Sequence, residues 1–318
     1  MKKLFFLAAA ATIALSSCVK NDTVYTDAQT PMEFKAFNVA STKAPIDGIT
    51  FDQNISVFAV YNNSGKAYFP ETTFEKKEAG RWGGNPARYW PTTGVMDFAA
   101  YSPANAGDAT PTYVADGSIS KISVVCPDNN AADQKDIIYG DLLDNIQCPQ
   151  TNPVAMQFHH ALAQIVLKFK QGVAATADTY QITVKRVTLK DLVLGGTLDI
   201  TPAATSTIDW SKKNTAVAYE VDATAHVLTT DFTALKGVLV VPSAQTSVEI
   251  VYDINVDGNT NEVTQTVSLN TSTDIDTPDT WEAGKKYTYN ININLKEIEF
   301  NPTVTDWVVG GENNITIE

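Results

Sequence analysis

Apolar and polar residues alternate with a period of two along most of this chain, the repeat of a half-buried β-strand. Met32, Phe34 and Ala36 fall on one side of such a strand, with Glu33, Lys35 and Phe37 on the other. Residues 55–61, 94–101 and 119–126 add further strands, and 182–189, 248–256 and 285–295 repeat the theme. In the last of these, Tyr287, Tyr289, Ile291, Ile293 and Leu295 share a face. Residues 237–241 are apolar without a break, as in a central strand. Loops rich in Gly, Asn and Pro, such as 79–86, separate these runs. No stretch shows twelve residues of helical periodicity with caps. The nearest, 156–170, ends in Ile165-Val166-Leu167-Lys168-Phe169, which alternates as a strand does. Without crossover helices a doubly wound parallel sheet cannot be built. The expected fold is all-β, two antiparallel β-sandwich domains in series. The punctuated segment Cys148-Pro149-Gln150-Thr151-Asn152-Pro153 places their division between 31–150 and 151–318.

The N-terminus has a different pattern. Lys2 and Lys3 precede an apolar run from Leu4 to Leu15, too short for a membrane span and built like an export signal. Leu15-Ser16-Ser17-Cys18 resembles a bacterial lipobox, which makes 1–17 a leader and Cys18 the acylated first residue. Residues 18–30 then form a polar tether, and Val19-Lys20-Asn21-Asp22 resembles a surface-export tag. Cleavage before Cys18 removes two lysines, so the mature charge is 21 − 36 = −15. Several acyl chains together give the membrane attachment that so acidic a body cannot obtain from anionic lipid.

Composition narrows the chemistry. The 318 residues carry a net charge of −13 with no basic cluster, which excludes nucleic acid as a partner. Three cysteines and three histidines leave little for a metal centre, and none is expected. His159 and His160 are adjacent, so in a strand they point to opposite faces. His160 reads as a half-buried histidine satisfied by a backbone carbonyl. No Gly-x-Ser-x-Gly elbow or His-Glu-x-x-His is present, and Gly80-Arg81-Trp82-Gly83-Gly84 feeds no helix to receive a phosphate. The clusters Asp136, Asp141, Asp144 and Asp274, Asp276, Asp279 read as solvated loops rather than glycosidase pairs. No catalytic residue and no cofactor site is expected. Trp82 and Trp90, with Tyr89, could form a ligand-facing aromatic platform, though packing into the core fits them better. Cys126 and Cys148 each precede a proline. A disulfide between them would close a loop of about twenty residues and stabilise by roughly 3 kcal/mol; two separate buried thiols fit the sequence equally.

Several phrases in order resemble the Bacteroidales fimbrillin-like proteins, lipoprotein-derived fimbrial subunits. They are the strand at Met32, then Thr42-Lys43-Ala44, Ile55-Ser56-Val57-Phe58-Ala59, and Tyr89-Trp90-Pro91 followed by Phe98-Ala99-Ala100-Tyr101-Ser102-Pro103. Asp136-Ile137-Ile138-Tyr139-Gly140 and Phe158-His159-His160-Ala161-Leu162-Ala163-Gln164-Ile165 continue the series. Leu239-Val240-Val241-Pro242, Trp281 with Gly284, Tyr287-Thr288-Tyr289 and Val304-Thr305-Asp306-Trp307 complete it. The resemblance implies Greek-key, transthyretin-like sandwiches and a cell-surface fimbria at the outer membrane. It also implies assembly by donor-strand exchange with other fimbrial subunits. A protease cuts after a basic residue near the first strand, here Lys43, and a neighbour's terminal strand, here 301–318, fills the groove. The short alternating end Ile315-Thr316-Ile317 leaves stalk, tip and uncleaved anchor roles open, besides a free-standing lipoprotein that binds a glycan or a host receptor. Replacing the lipid-bearing residue, Cys18→Ser, is expected to abolish incorporation of a labelled fatty acid in cells; undiminished labelling would exclude Cys18.

Overall fold

The alternation is realised as twenty-two β-strands, with no α-helix, among the described residues of the computed structural model. Those residues are 30–38, 53–62, 64–77, 80–114, 117–131, 134–174, 180–270, 280–294 and 298–306. In chain order the strands are β1 (Glu33–Asn38), β2 (Ile55–Tyr61), β3 (Ala67–Lys77), β4 (Arg81–Asn85), β5 (Val95–Ser102), β6 (Asp108–Tyr113) and β7 (Ile119–Cys126). Next come β8 (Ile138–Gly140), β9 (Leu143–Gln147), β10 (Val154–His160), β11 (Ala163–Gln171), β12 (Tyr180–Leu192), β13 (Gly196–Thr201) and β14 (Thr207–Lys213). The remainder are β15 (Val217–Asp222), β16 (His226–Val227), β17 (Thr233–Ala234), β18 (Val238–Val240), β19 (Ser247–Val256), β20 (Asn259–Ser268), β21 (Lys285–Ile293) and β22 (Ile298–Asp306).

The first sheet runs β2-β3-β4-β1-β10-β8-β5 and closes on itself through β2–β5, with β9 attached to β5. A second sheet, β14-β13-β7-β6, lies between the halves of the chain. The third pairs β11 with β17 and β18 on one side and with β21 and then β22 on the other. The fourth is β15-β12-β19-β20, with β16 also on β12. The fold is all-β, as the period-two pattern requires, but the first sheet curls into a ring of seven strands. Two ladders are parallel rather than antiparallel: β1 on β10, and β11 on β21. Each joins strands separated by more than a hundred residues, which gives the long return a parallel pair needs.

Burial separates three cores. Met32, Phe34, Val57, Phe74, Trp82, Phe98 and Phe158 belong to the core enclosed by the ring. Ile165, Phe169, Ile182, Ile250, Trp281, Tyr287 and Tyr289 form the core shared by the third and fourth sheets. The third core, with Phe58, Tyr101, Val124, Leu198 and Trp210, joins the outside of the ring to the second sheet. Strand β2 contributes to two of these: Ile55, Val57 and Ala59 point into the ring, and Phe58 and Val60 into the joining core. That is why its sequence shows no polar alternation. The apolar run at 237–241 has the same cause. It is not a central strand; β18 pairs with β11, sending Val238 and Val240 into one core and Leu239 into another.

The halves on either side of residue 150 share sheets. Strand β10 hydrogen-bonds within the ring to β1 and β8, and β7 pairs with β13 over five positions. Periodicity shows which residues form strands, not which strands become neighbours. Because β2 and β5 are covered on both faces, Phe58→Ala and Phe98→Ala should each cost about 3–5 kcal/mol. Val227→Ala, at a side chain 62% exposed, should change stability by less than about 0.5 kcal/mol. Urea midpoints decide this, and Phe58→Ala behaving like Val227→Ala would contradict two-sided burial.

Candidate functional site: the slot held by the first strand

Strand β1 is the one member of the ring supplied from before residue 50, and the ring closes around it. It pairs in parallel with β10 from Phe34↔Val154 to Asn38↔Phe158. On its other side it pairs antiparallel with β4 at only three positions, Glu33↔Gly83, Phe34↔Trp82 and Lys35↔Arg81. The chain enters through a short clasp in which Met32 N donates to Arg88 O at 2.7 Å and Trp90 N donates to Thr30 O at 3.0 Å.

Side chains from β1 act as plugs. Met32 and Phe34 are fully buried. The Phe34 ring meets Phe74 and Phe98 edge-on, each at 5.1 Å between centroids, an arrangement that suits the aromatic quadrupoles. Burying the two side chains is worth about 3–6 kcal/mol. The outward side carries Lys35 and an exposed ion pair, Arg81 to Glu33 at 3.0 Å, worth at most about 1 kcal/mol. The hold is therefore mainly two apolar plugs and a backbone ladder. Of the sequence-predicted exchange residues, Cys18 and Lys43 lie outside the described residues. Residues 301–306 of the expected donor pair with β21 as part of β22, and 307–318 lie outside.

The aromatic platform does not form. Trp82 is 3% exposed, its Nε1 donating to Gln53 O at 2.9 Å, and Trp90 is 4% exposed and edge-on to Phe98. Both indoles line the ring's core, which the alternation of β4 and the clasp require. The exposed aromatics at this end are Tyr89, the third member of that expected platform, and Tyr68, which the sequence reading did not single out.

The histidines are structural. His160 Nδ1 bonds the carboxylate of Asp136, both buried. His159 Nε2 lies 2.9 Å from Asp141 Oδ1, which also accepts from Ser206 N at 2.8 Å. The two phrases meet because β8 runs antiparallel to β10, His160 facing Ile138 and Phe158 facing Gly140. A Cβ on Gly140 would lie 2.8 Å from Met156 Sδ, so a side chain there would require the end of Met156 to shift. In the other sandwich Trp281 Nε1 donates to Tyr289 Oη at 2.8 Å and Tyr287 Oη donates to Thr280 O at 3.1 Å. No group of three or more metal-ligating side chains occurs among the described residues.

Cys126 and Cys148 are free thiols, not a disulfide. Cys126 belongs to the joining core and Cys148 packs against the ring's core. Their Sγ atoms donate to Val124 O and Ile146 O, the carbonyls two residues before each. Burial pushes the Cys126 thiol up to about 12 and the Cys148 thiol up to about 11. At pH 8 less than roughly a hundredth of either is thiolate. In a Cys18→Ser background an aromatic disulfide reagent should react slowly with the folded chain at pH 8 and with both thiols at once after denaturation. Rapid reaction of either in the folded chain would overturn the burial argument.

A fimbrillin-like family profile matches residues 42–307. Comparison with curated proteins gave no significant match. A fimbrial protein from Bacteroides vulgatus is similar in structure, with a TM-score of 0.54 and 18% identity over 87% of this chain and 99% of that one. A candidate cell-adhesion protein from Bacteroides uniformis gives 0.52 and 18%, over 89% and 99%. One from Bacteroides ovatus gives 0.52 and 16%, over 89% and 100%. At such identities these structures establish the shared fold, and the profile spans most of the sequence. The chain belongs to the fimbrillin-like family.

Proposed function

We propose that this chain is a non-enzymatic subunit of a cell-surface fimbria, assembled by exchange of its first strand. The observation that carries the reading is the position of β1. It completes a closed ring, is held by three pairs on one side and five on the other, and plugs the core with Met32 and Phe34. Removing it would leave β4 and β10 with unpaired edges and an apolar slot between them. An incoming strand from another subunit would satisfy both. Lys43, five residues beyond β1, is the basic residue at which cleavage would release the strand. The described fimbrial and cell-adhesion relatives fit a surface appendage, and family membership supports a structural rather than catalytic part.

In this reading the chain is exported as a lipoprotein through Cys18, reaches the outer membrane, and loses its lipid with residues 18–43. An uncleaved copy would instead serve as the anchor. The free-standing binding lipoprotein is less favoured, since Trp82 and Trp90, its best sequence candidates, are buried.

N-terminal sequencing with intact mass, on protein sheared from the surface of native cells, tests this. The expected result is a chain starting at Ala44 in a heat-resistant ladder of multimers, and retention of monomers in Lys43→Ala cells. A monomer that still begins at lipidated Cys18 would reject the cleaved-subunit reading.

A further inference from the structure

A strand at the end of a sheet presents a free row of N–H and C=O groups, ready to pair with another chain. Proteins blunt such edges with proline, lysine, register breaks or brevity. Among the described residues the other edges carry such devices. Strand β6 has Pro111 and shifts register against β7; β14 has Lys212 and Lys213; β22 has Pro302. Strand β15 breaks register twice against β12 and holds Glu220 and Asp222. Strand β9 is five residues long, with a register break against β5, and β16, β17 and β18 are two or three residues long.

Strand β20 has none of these. It pairs with β19 over ten consecutive positions with no shift, and it contains no proline, lysine or arginine. Its one charged residue, Glu262, is held by Lys185 Nζ at 2.7 Å. Val263, Gln265 and Val267 are half-buried toward the core, while Glu262, Thr264, Thr266 and Ser268 are exposed on the outer side. Threonine and valine are strong strand formers and favourable cross-strand partners.

We propose that β20 is a self-association edge, on which a second copy of this chain pairs its own β20 antiparallel across a two-fold axis. The strand's complementarity to itself selects this occupant. Continuing the sheet from one copy into the next requires facing residues to lie on the same side, so the axis passes through Val263 or through Thr264. Glu262 then faces Thr264 or Thr266 of the second copy and never Glu262, so no like charges meet along the ladder. In the first register Val263 pairs with Val263. An isologous contact of this kind closes at two copies and cannot propagate. On a fimbria it would join two fibres side by side, but it does not depend on strand exchange at β1.

Sedimentation velocity on the full-length chain with Cys18→Ser, from about 1 μM to about 200 μM, tests the proposal. The expected behaviour is a reversible monomer–dimer equilibrium. Thr264→Glu with Thr266→Glu should weaken the dimer at least tenfold, because a carboxylate then faces Glu262 of the second copy in either register. Thr264→Glu alone should also weaken it, since position 264 faces Glu262 or itself. Thr112→Lys, on the edge strand β6, should leave the equilibrium unchanged. Urea midpoints matching the parent establish that each variant folds. A chain that stays monomeric at every concentration overturns the proposal, as does a dimer as tight in the β20 variants as in the parent.

Discussion

Strands β2 and β5 pair with each other over six positions and have no solvent face along most of their length. One side of this wall closes the ring around Phe34, Phe98 and Trp90; the other supports Phe58 and Tyr101 against Val124, Leu198 and Trp210. Two cores therefore share one backbone ladder, and each holds the other in register. Slipping β2 by a single residue would exchange its inward and outward sets, placing Phe58 where Val57 belongs and breaking both cores at once. Two polar groups trapped in the wall are satisfied locally: Ser56 Oγ accepts from Asn105 N, and Tyr101 Oη donates to Glu71 Oε1 at 2.6 Å.

Against that wall β1 is held by five ladder pairs on one side and three on the other. The β2–β5 pair is fixed from both sides, whereas β1 relies on two plugs and a ladder that is short toward β4. Among the described residues the joining core lies outside the ring and includes no β1 side chain. A buried histidine–aspartate pair joins the two halves of the chain, with His160 at the end of β10 and Asp136 just before β8.

Much of this was legible residue by residue. Met32 and Phe34 were placed on the buried side of a strand by alternation alone, and Tyr287, Tyr289, Ile291 and Ile293 likewise share a buried face. The phrases read as family marks acquire physical reasons in the fold. Gly140 packs directly against the end of Met156, and Trp281 and Tyr289 are joined by a hydrogen bond inside the core. Other residues depended on partners far away in the chain. His160 could not be assigned to Asp136, nor Cys126 and Cys148 to separate cores, without knowing that β8 lies against β10 and that β7 crosses to β13.

The sequence by itself determined that the chain would be all-β, which faces of its strands would be buried, and that its acidic, histidine-poor composition favours structure over catalysis. Period-two alternation suffices for that, because burial of one strand face is a local property of consecutive side chains. Only the tertiary structure decided that the first sheet closes, that β1 and β10 run parallel, that Trp82 and Trp90 line a core, and that β20 keeps an unguarded edge. Each of these is a choice of neighbour. Backbone hydrogen bonds between strands are chemically alike everywhere, so strand pairing is settled by how whole faces pack.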